Sequence, residues 1–175
     1  MDWSKLLFGS KKCVFLSILI VLSSCAISYK FNGASIDYSK TKTIAITDFN
    51  NYAPLVNPSF APMFNDALKD IFTKQTRLRP VASNGDLTIA GEITGYDLMP
   101  MSIGGDAIAA ETRLTITVTV RFSNKSNPAK DFESSFSAFQ NFSSTKMLTD
   151  VQDQLTAVII DELTETIYNQ TVADW

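Results

Sequence analysis

Arg113-Leu114-Thr115-Ile116-Thr117-Val118-Thr119-Val120-Arg121-Phe122 alternates without a break, with Leu, Ile, Val and Phe at even positions and Arg or Thr at odd ones. Successive side chains of a strand point to opposite faces, so this segment predicts a strand with one apolar and one polar face. A sheet built around it buries one side and turns the other to water or to a polar partner.

The neighbouring segments extend that sheet. Downstream, Ser123 to Ala129, with Asn127-Pro128, turns the chain into a strand with Phe132, Phe136 and Ala138 inward. Upstream, Asn84-Gly85-Asp86 marks a turn. After it, Leu87, Ile89 and Ile93 alternate with Thr88, Glu92 and Thr94. Gly91 and Gly95 fall on the apolar side of that alternation, where they admit a closely packed helix or a bulge. Pro100 to Ala110, with Gly104-Gly105, reads as a long flexible connection to the central strand.

Thr43 to Thr47 is a further strand, and Asn50 to Asn57 a loop. A helix starts at Asn57-Pro58 or Ser59, because Asn and Ser cap and Pro suits a first turn. Its apolar stripe is Phe60, Phe64, Ala67, Leu68 and Ile71. The closing helix, Met147 to Gln170, carries a stripe from Leu148 through Val158 to Ile167, and Thr149 with Gln152 matches a capping box. The order β-α-β-β-β-α predicts an α+β two-layer sandwich, a four-stranded and mostly antiparallel sheet with two helices on one face.

At the other end of the chain, Lys5, Lys11 and Lys12 precede the apolar run Cys13 to Leu22. Charge followed by a short apolar stretch is the order of a secretory signal, and the run is too short to span a bilayer. It closes on Leu22-Ser23-Ser24-Cys25, which resembles the bacterial lipobox. Cys13 is the one other cysteine and lies in the discarded part, so a disulfide is excluded and Cys25 is expected to carry covalent lipid. Residues 1–24 are then a cleaved signal, 25–39 a lipidated tether and 40–175 the folded domain. Ala26, not an acidic residue, follows the cysteine, which favours the outer membrane.

Composition narrows the function. Of 15 basic and 18 acidic residues, three Lys and one Asp lie in residues 1–24, leaving a net −5 after cleavage. That balance, with no Lys/Arg cluster, argues against nucleic acid. Histidine is absent. Ser-His-Asp and Cys-His nucleophiles and the usual His/Cys zinc sites are therefore ruled out, so neither catalytic nor metal residues are assigned. Asp150, Asp153, Asp161 and Glu165 fall on the polar side of the closing helix, the pattern of a solvated face.

Several stretches together resemble the LptE family of lipopolysaccharide-assembly lipoproteins. They are Asn51-Tyr52-Ala53-Pro54-Leu55-Val56-Asn57-Pro58, Ala67-Leu68-Lys69-Asp70, Gln75-Thr76-Arg77-Leu78, Gly85-Asp86-Leu87, Gly91-Glu92-Ile93-Thr94-Gly95-Tyr96, Arg113 to Val118 and Ala173-Asp174-Trp175. The resemblance implies a small sheet with two helices on one side, and no enzymatic activity. It also implies a place inside the lumen of the β-barrel LptD, assisting delivery of lipopolysaccharide. Two other readings remain open: an envelope lipoprotein serving as a ligand-binding or auxiliary subunit of a lipid-trafficking transporter, and a carboxylate-dependent hydrolase of envelope glycans.

Two arginines share the polar face of the central strand. A hairpin through Ser123 to Ala129 sets Arg121 across from Asp131 or Glu133, an ion pair. The same alternation sets Arg113 near Tyr96, away from a carboxylate, and makes it the candidate contact for a lipopolysaccharide phosphate. Stacking on Tyr96 or facing solvent is the plainer alternative for Arg113.

Overall fold

A computed structural model describes residues 36–55, 57–101 and 111–172 of the chain. The elements are β1 (Thr43–Ile46), β2 (Asn50–Asn51), α1 (Phe60–Gln75), β3 (Arg79–Val81), β4 (Leu87–Met101), β5 (Glu111–Asn124), a 3-10 turn (Pro128–Lys130), β6 (Phe132–Ser143) and α2 (Leu148–Val172). The strands form one six-stranded sheet in the order β3-β1-β4-β5-β6, with β2 also on β4.

This corrects the four-stranded, mostly antiparallel expectation. β1 runs parallel to both β3 and β4, and β2 is parallel to β4. The cause is the helix after β1: a strand that leads into a crossover helix returns to its own sheet in the same direction. The antiparallel part is β4-β5-β6. β2 and β3 have two and three residues, too few to display any alternation.

The central strand is as its sequence predicts. Leu114, Ile116, Val118, Val120 and Phe122 are buried with Phe132, Phe136 and Ala138 at or beside the core. The turn leading into α1 is held by Asn57, whose side-chain oxygen accepts the Ser59 N–H (3.0 Å) and whose carbonyl accepts the Phe60 N–H (3.1 Å), and Ser59 stands at the N-cap. Its C-terminus is closed by Thr76, which donates from both backbone and hydroxyl to the Phe72 carbonyl. Along its buried face Phe60 stacks on Phe64, and Phe49 meets Phe64 edge-on at 5.2 Å. Asn65 lies on that face too. It accepts from the Phe49 N–H (2.8 Å) and donates to the Phe49 carbonyl (3.3 Å), acting as a substitute strand for the β1–β2 link.

Helix α2 begins at Leu148, so Thr149 is inside it. There the Thr149 hydroxyl meets the Asp150 carboxylate (3.4 Å), not the cap geometry expected with Gln152. Val158, expected on the buried stripe, is 46% exposed, while Ile159, Leu163 and Ile167 carry the packing. Asp150, Asp153, Asp161 and Glu165 are exposed, as their spacing predicts.

The second departure lies in β4. The pairing of β4 with β5 shifts register between Ile93 and Gly95, a bulge at Thr94. One extra residue reverses which face every later side chain points to. Gly95 therefore pairs with Thr117 on the polar side, and Tyr96 pairs with Ile116 on the buried side. β4 also continues through Pro100 to Met101, where a loop was expected. Pro100 is tolerated because β4 beyond Ile93 pairs with β5 alone among the described residues, so its missing N–H can lie on the open side. The rest of the expected loop lies outside the described residues.

Candidate functional site

The face of the sheet opposite the helices is a ladder of short polar groups. Thr117 and Ser137 hydroxyls meet at 2.8 Å across β5 and β6, and Thr119 and Ser135 at 3.0 Å. At one end of the ladder, Arg121 Nε donates to Glu133 Oε1 at 3.1 Å, with both side chains more than half exposed. This is the pairing expected for Arg121. An exposed pair of this kind contributes about 0–1 kcal/mol and mainly fixes register.

The other end of the ladder holds Arg113. It pairs in register with Met99 on β4 and Asn141 on β6, not with Tyr96. The correction follows from the bulge, which turns Tyr96 into the core at 3% exposure. Arg113 lays its guanidinium over the Phe139 ring, 4.0 Å from the centroid, and donates from Nε to Asn141 Oδ1 at 3.0 Å. Asn141 in turn donates to Glu111 Oε2 at 3.1 Å. Ring and amide hold one face and one edge of the guanidinium. Its two Nη groups make no hydrogen bond among the described residues, which leaves the fork that a phosphate accepts.

Around this arginine the surface is unusually apolar. Met99 is 61% and Phe139 47% exposed on the same face. A cation set among exposed apolar side chains is the pattern that suits an amphiphile with an anionic head. Sequence reasoning selected Arg113 but missed Phe139, which becomes visible only once β5 and β6 are placed in register.

A concavity lies between β1, β3 and α1. It has a volume of about 610 Å³ and is lined by Ile44, Ile46, Phe72, Pro80 and Val81, with the Lys69–Asp48 ion pair at its rim. It is an open groove, and its charges already satisfy each other. Among the described residues no group of three or more potential metal ligands occurs, and no helix is long and apolar enough to cross a membrane. Cys25 lies outside the described residues.

The model of the LptE lipopolysaccharide-assembly family matches residues 41–171. The chain belongs to the LptE family. The match covers all the sheet and nearly all of both helices, so the resemblance seen in scattered strings extends through the domain. The LptE family is one of lipopolysaccharide assembly, which places the chain among envelope lipoproteins. No relative is found among curated protein sequences.

Solved structures similar to this LptE-family chain include a minor lipoprotein from Acinetobacter baumannii, with 16% identity over 74% of this chain and 91% of that one and a TM-score of 0.49. Rare lipoprotein B from Shewanella oneidensis shares 7% identity over 73% and 88% of the two chains, with a TM-score of 0.48. Lipoprotein B from Nitrosomonas europaea shares 16% identity over 73% and 79%, with a TM-score of 0.46.

Proposed function

We propose that this chain is an outer-membrane lipoprotein, anchored by lipid on Cys25, that plugs the LptD β-barrel and assists lipopolysaccharide transport to the cell surface. Membership of the LptE family supplies the lipopolysaccharide-assembly role. The observation that carries the finer reading is the polar outer face of β5 and β6, whose Thr and Ser hydroxyls bond to one another across the two strands. Large barrels have polar interiors, and a plug must present a surface that such a wall can meet without burying unpaired charge. Groups that satisfy one another in pairs meet that condition, as does the Arg121–Glu133 pair. Arg113 is then the headgroup contact, held by Phe139 and Asn141 beside exposed Met99.

Affinity capture of the mature chain from solubilised outer membranes tests the reading. A large barrel protein should co-purify, and depletion of the chain should lower lipopolysaccharide or lipooligosaccharide at the surface. Normal surface levels after full depletion would count decisively against it. Intact mass of the mature protein tests the anchor, which requires acyl mass on an N-terminal Cys25.

A further inference from the structure

The basic residues are scattered along the sequence, but the topology gathers half of them at one end of the sheet. β1, β3 and β4 begin at this end, β5 finishes there and β6 leaves it. Six of the twelve Lys and Arg that follow Cys25 flank these strand ends: Lys40 and Lys42 before β1, Arg77 and Arg79 at the start of β3, and Lys125 and Lys130 in the β5–β6 turn. Hydrogen bonds tie the three groups into one surface. The Lys42 carbonyl accepts the Arg79 N–H (2.9 Å), the Asp86 carbonyl accepts the Lys125 N–H (3.0 Å), and the Thr41 hydroxyl donates to Ser126 Oγ (3.1 Å). Five neighbouring strands at ordinary spacing make this a row roughly 20 Å wide.

The row keeps a positive excess. Lys42, Arg77 and Arg79 are exposed, and their side chains enter no ion pair among the described residues. Lys125 donates from Nζ to Asn84 Oδ1 (2.6 Å) and to the Asn84 carbonyl (3.1 Å), both neutral. Three carboxylates share this end. Asp86 and Asp131 are held by the chain's own N–H and hydroxyl donors, and Asp37 pairs with Lys40 at 3.7 Å. The acidic excess of the mature chain therefore lies on the rest of the domain, α2 above all. Exposed charges further apart than about 8 Å are largely screened at physiological salt, so the end acts as a basic surface of its own.

We propose that this basic end rests on the anionic phospholipid headgroups of the leaflet that holds the anchor, an inference that builds on the reading of Cys25 as lipidated. Two observations select that partner. The chain enters the domain at this end, where Ile36 is buried, Tyr38 packs against the core and Thr41 bonds to the β5–β6 turn. Cys25 stands eleven residues before Ile36, a reach of at most about 40 Å, so acyl chains there draw this end towards the bilayer. The second observation is the shape of the charge. A row spread over five strand ends does not converge on one anion, but it matches a plane of phosphates, where each Lys or Arg strengthens attachment by about fivefold. The acyl chains hold the protein, and the row decides which end faces the membrane. Arg113 lies near the opposite end of β5, so the phospholipid surface and the lipopolysaccharide contact are separate places.

The test first removes the anchor so that the surface is read alone. The full mature chain carrying Cys25→Ala should co-sediment with vesicles of phosphatidylcholine and phosphatidylglycerol at low salt, and not with phosphatidylcholine alone. Arg77→Glu together with Arg79→Glu should weaken that binding about tenfold or more. Lys146→Glu, the same change of charge beyond the far end of β6, should leave it unaltered. In the lipoprotein itself, a polarity-sensitive dye on Asn127→Cys should report a less aqueous setting on the anionic vesicles, and one on Lys146→Cys should not. Equal binding to both vesicles, equal effects at the two ends, or no binding with native circular dichroism overturns the proposal. So does loss of lipopolysaccharide binding in the Arg77→Glu, Arg79→Glu chain with vesicle binding retained, which would give the row to the transported ligand. Should the Cys25→Ala chain fail to fold, the dye on the lipoprotein decides. Intact mass reports the anchor separately: acyl mass on Cys25 without vesicle binding removes this surface alone, and vesicle binding without acyl mass removes the anchor alone.

Discussion

The guanidinium of Arg113 lies 4.0 Å above the centre of the Phe139 ring, one strand away and diagonal to it. Stacking on an aromatic face fixes the plane of the cation while leaving its edge available. Eight residues along the same face, Arg121 is spent on Glu133. The two arginines thus share a strand, a face and a charge but differ in what remains for a ligand.

Arg113→Glu should therefore weaken lipopolysaccharide binding by the purified protein about tenfold or more, the loss of one charge-assisted contact of about 1.5–3 kcal/mol. Arg121→Glu should change it far less. Phe139→Ala should fall between them, because it frees the guanidinium without removing it. Equal effects of the two arginine variants, with circular dichroism unchanged, would remove Arg113 from the site.

Asp86 links the starts of β1 and β4. Its carboxylate accepts the Lys42 N–H (2.8 Å), the Thr43 N–H (2.9 Å) and the Thr43 hydroxyl (2.8 Å). The Lys42 N–H, then the Thr43 hydroxyl and N–H, hold its pKa below the ordinary 3.8. A depressed folded pKa means the contribution is present above the unfolded value and lost as pH falls through the folded one. Asp86→Asn should cost about 1–3 kcal/mol in urea unfolding near neutral pH. The gap to the parent should close as pH drops below about 4, the unfolded carboxylate range.

How far the sequence was legible depended on pattern length. Ten residues of unbroken alternation placed β5 and its faces, and the apolar stripe of α1 needed only its caps. One inserted residue at Thr94 was enough to defeat the same reading in β4, because the alternation resumes after the bulge in the opposite phase. Unbroken alternation would set Tyr96 beside Arg113, whereas the bulge turns it into the core. Asn65 gives no signal in the sequence, because a polar residue on an apolar stripe acquires a role only when the strand link at Phe49 lies against it. The parallel pairing of β1 was implied by the helix that follows it, yet the dominant β4-β5-β6 meander masked that cue.

Gly91 is a second test of the fold. It pairs with Val120 on the buried side, and a Cβ there would overlap the Phe49 ring and the Thr119 carbonyl oxygen. The close approach that its small size allows is thus to the β1–β2 link, not to a helix. Because the carbonyl belongs to a paired strand, it has little room to move. Gly91→Ala should destabilise by about 1–3 kcal/mol, the usual range for overpacking, measured as a lower urea midpoint with unchanged slope. Gly91→Val should lose more.

The last prediction concerns two hydroxyls in the core. Tyr96 is 3% and Thr156 1% exposed, and neither hydroxyl has a hydrogen bond among the described residues. Burial raises the Tyr96 pKa above 10.0; Asn57 and Thr156 lie near enough to offset this in part, though not in bonding geometry. A buried hydroxyl without a partner costs free energy that its removal recovers. Tyr96→Phe and Thr156→Val should thus be neutral or stabilising by up to about 1 kcal/mol at neutral pH, whereas Leu114→Ala in the same core should lose about 2–5 kcal/mol. The alkaline limb separates this from a simple packing effect. With the folded pKa raised, the stabilisation is complete below the unfolded phenol value and declines as pH climbs past 10 toward the folded one, because only the unfolded chain ionises there. Tyr96→Phe should flatten that decline, leaving the share due to Tyr168, whose burial raises its pKa in the same direction. An alkaline slope identical in parent and variant would show that the Tyr96 hydroxyl reaches solvent or a partner in the native state.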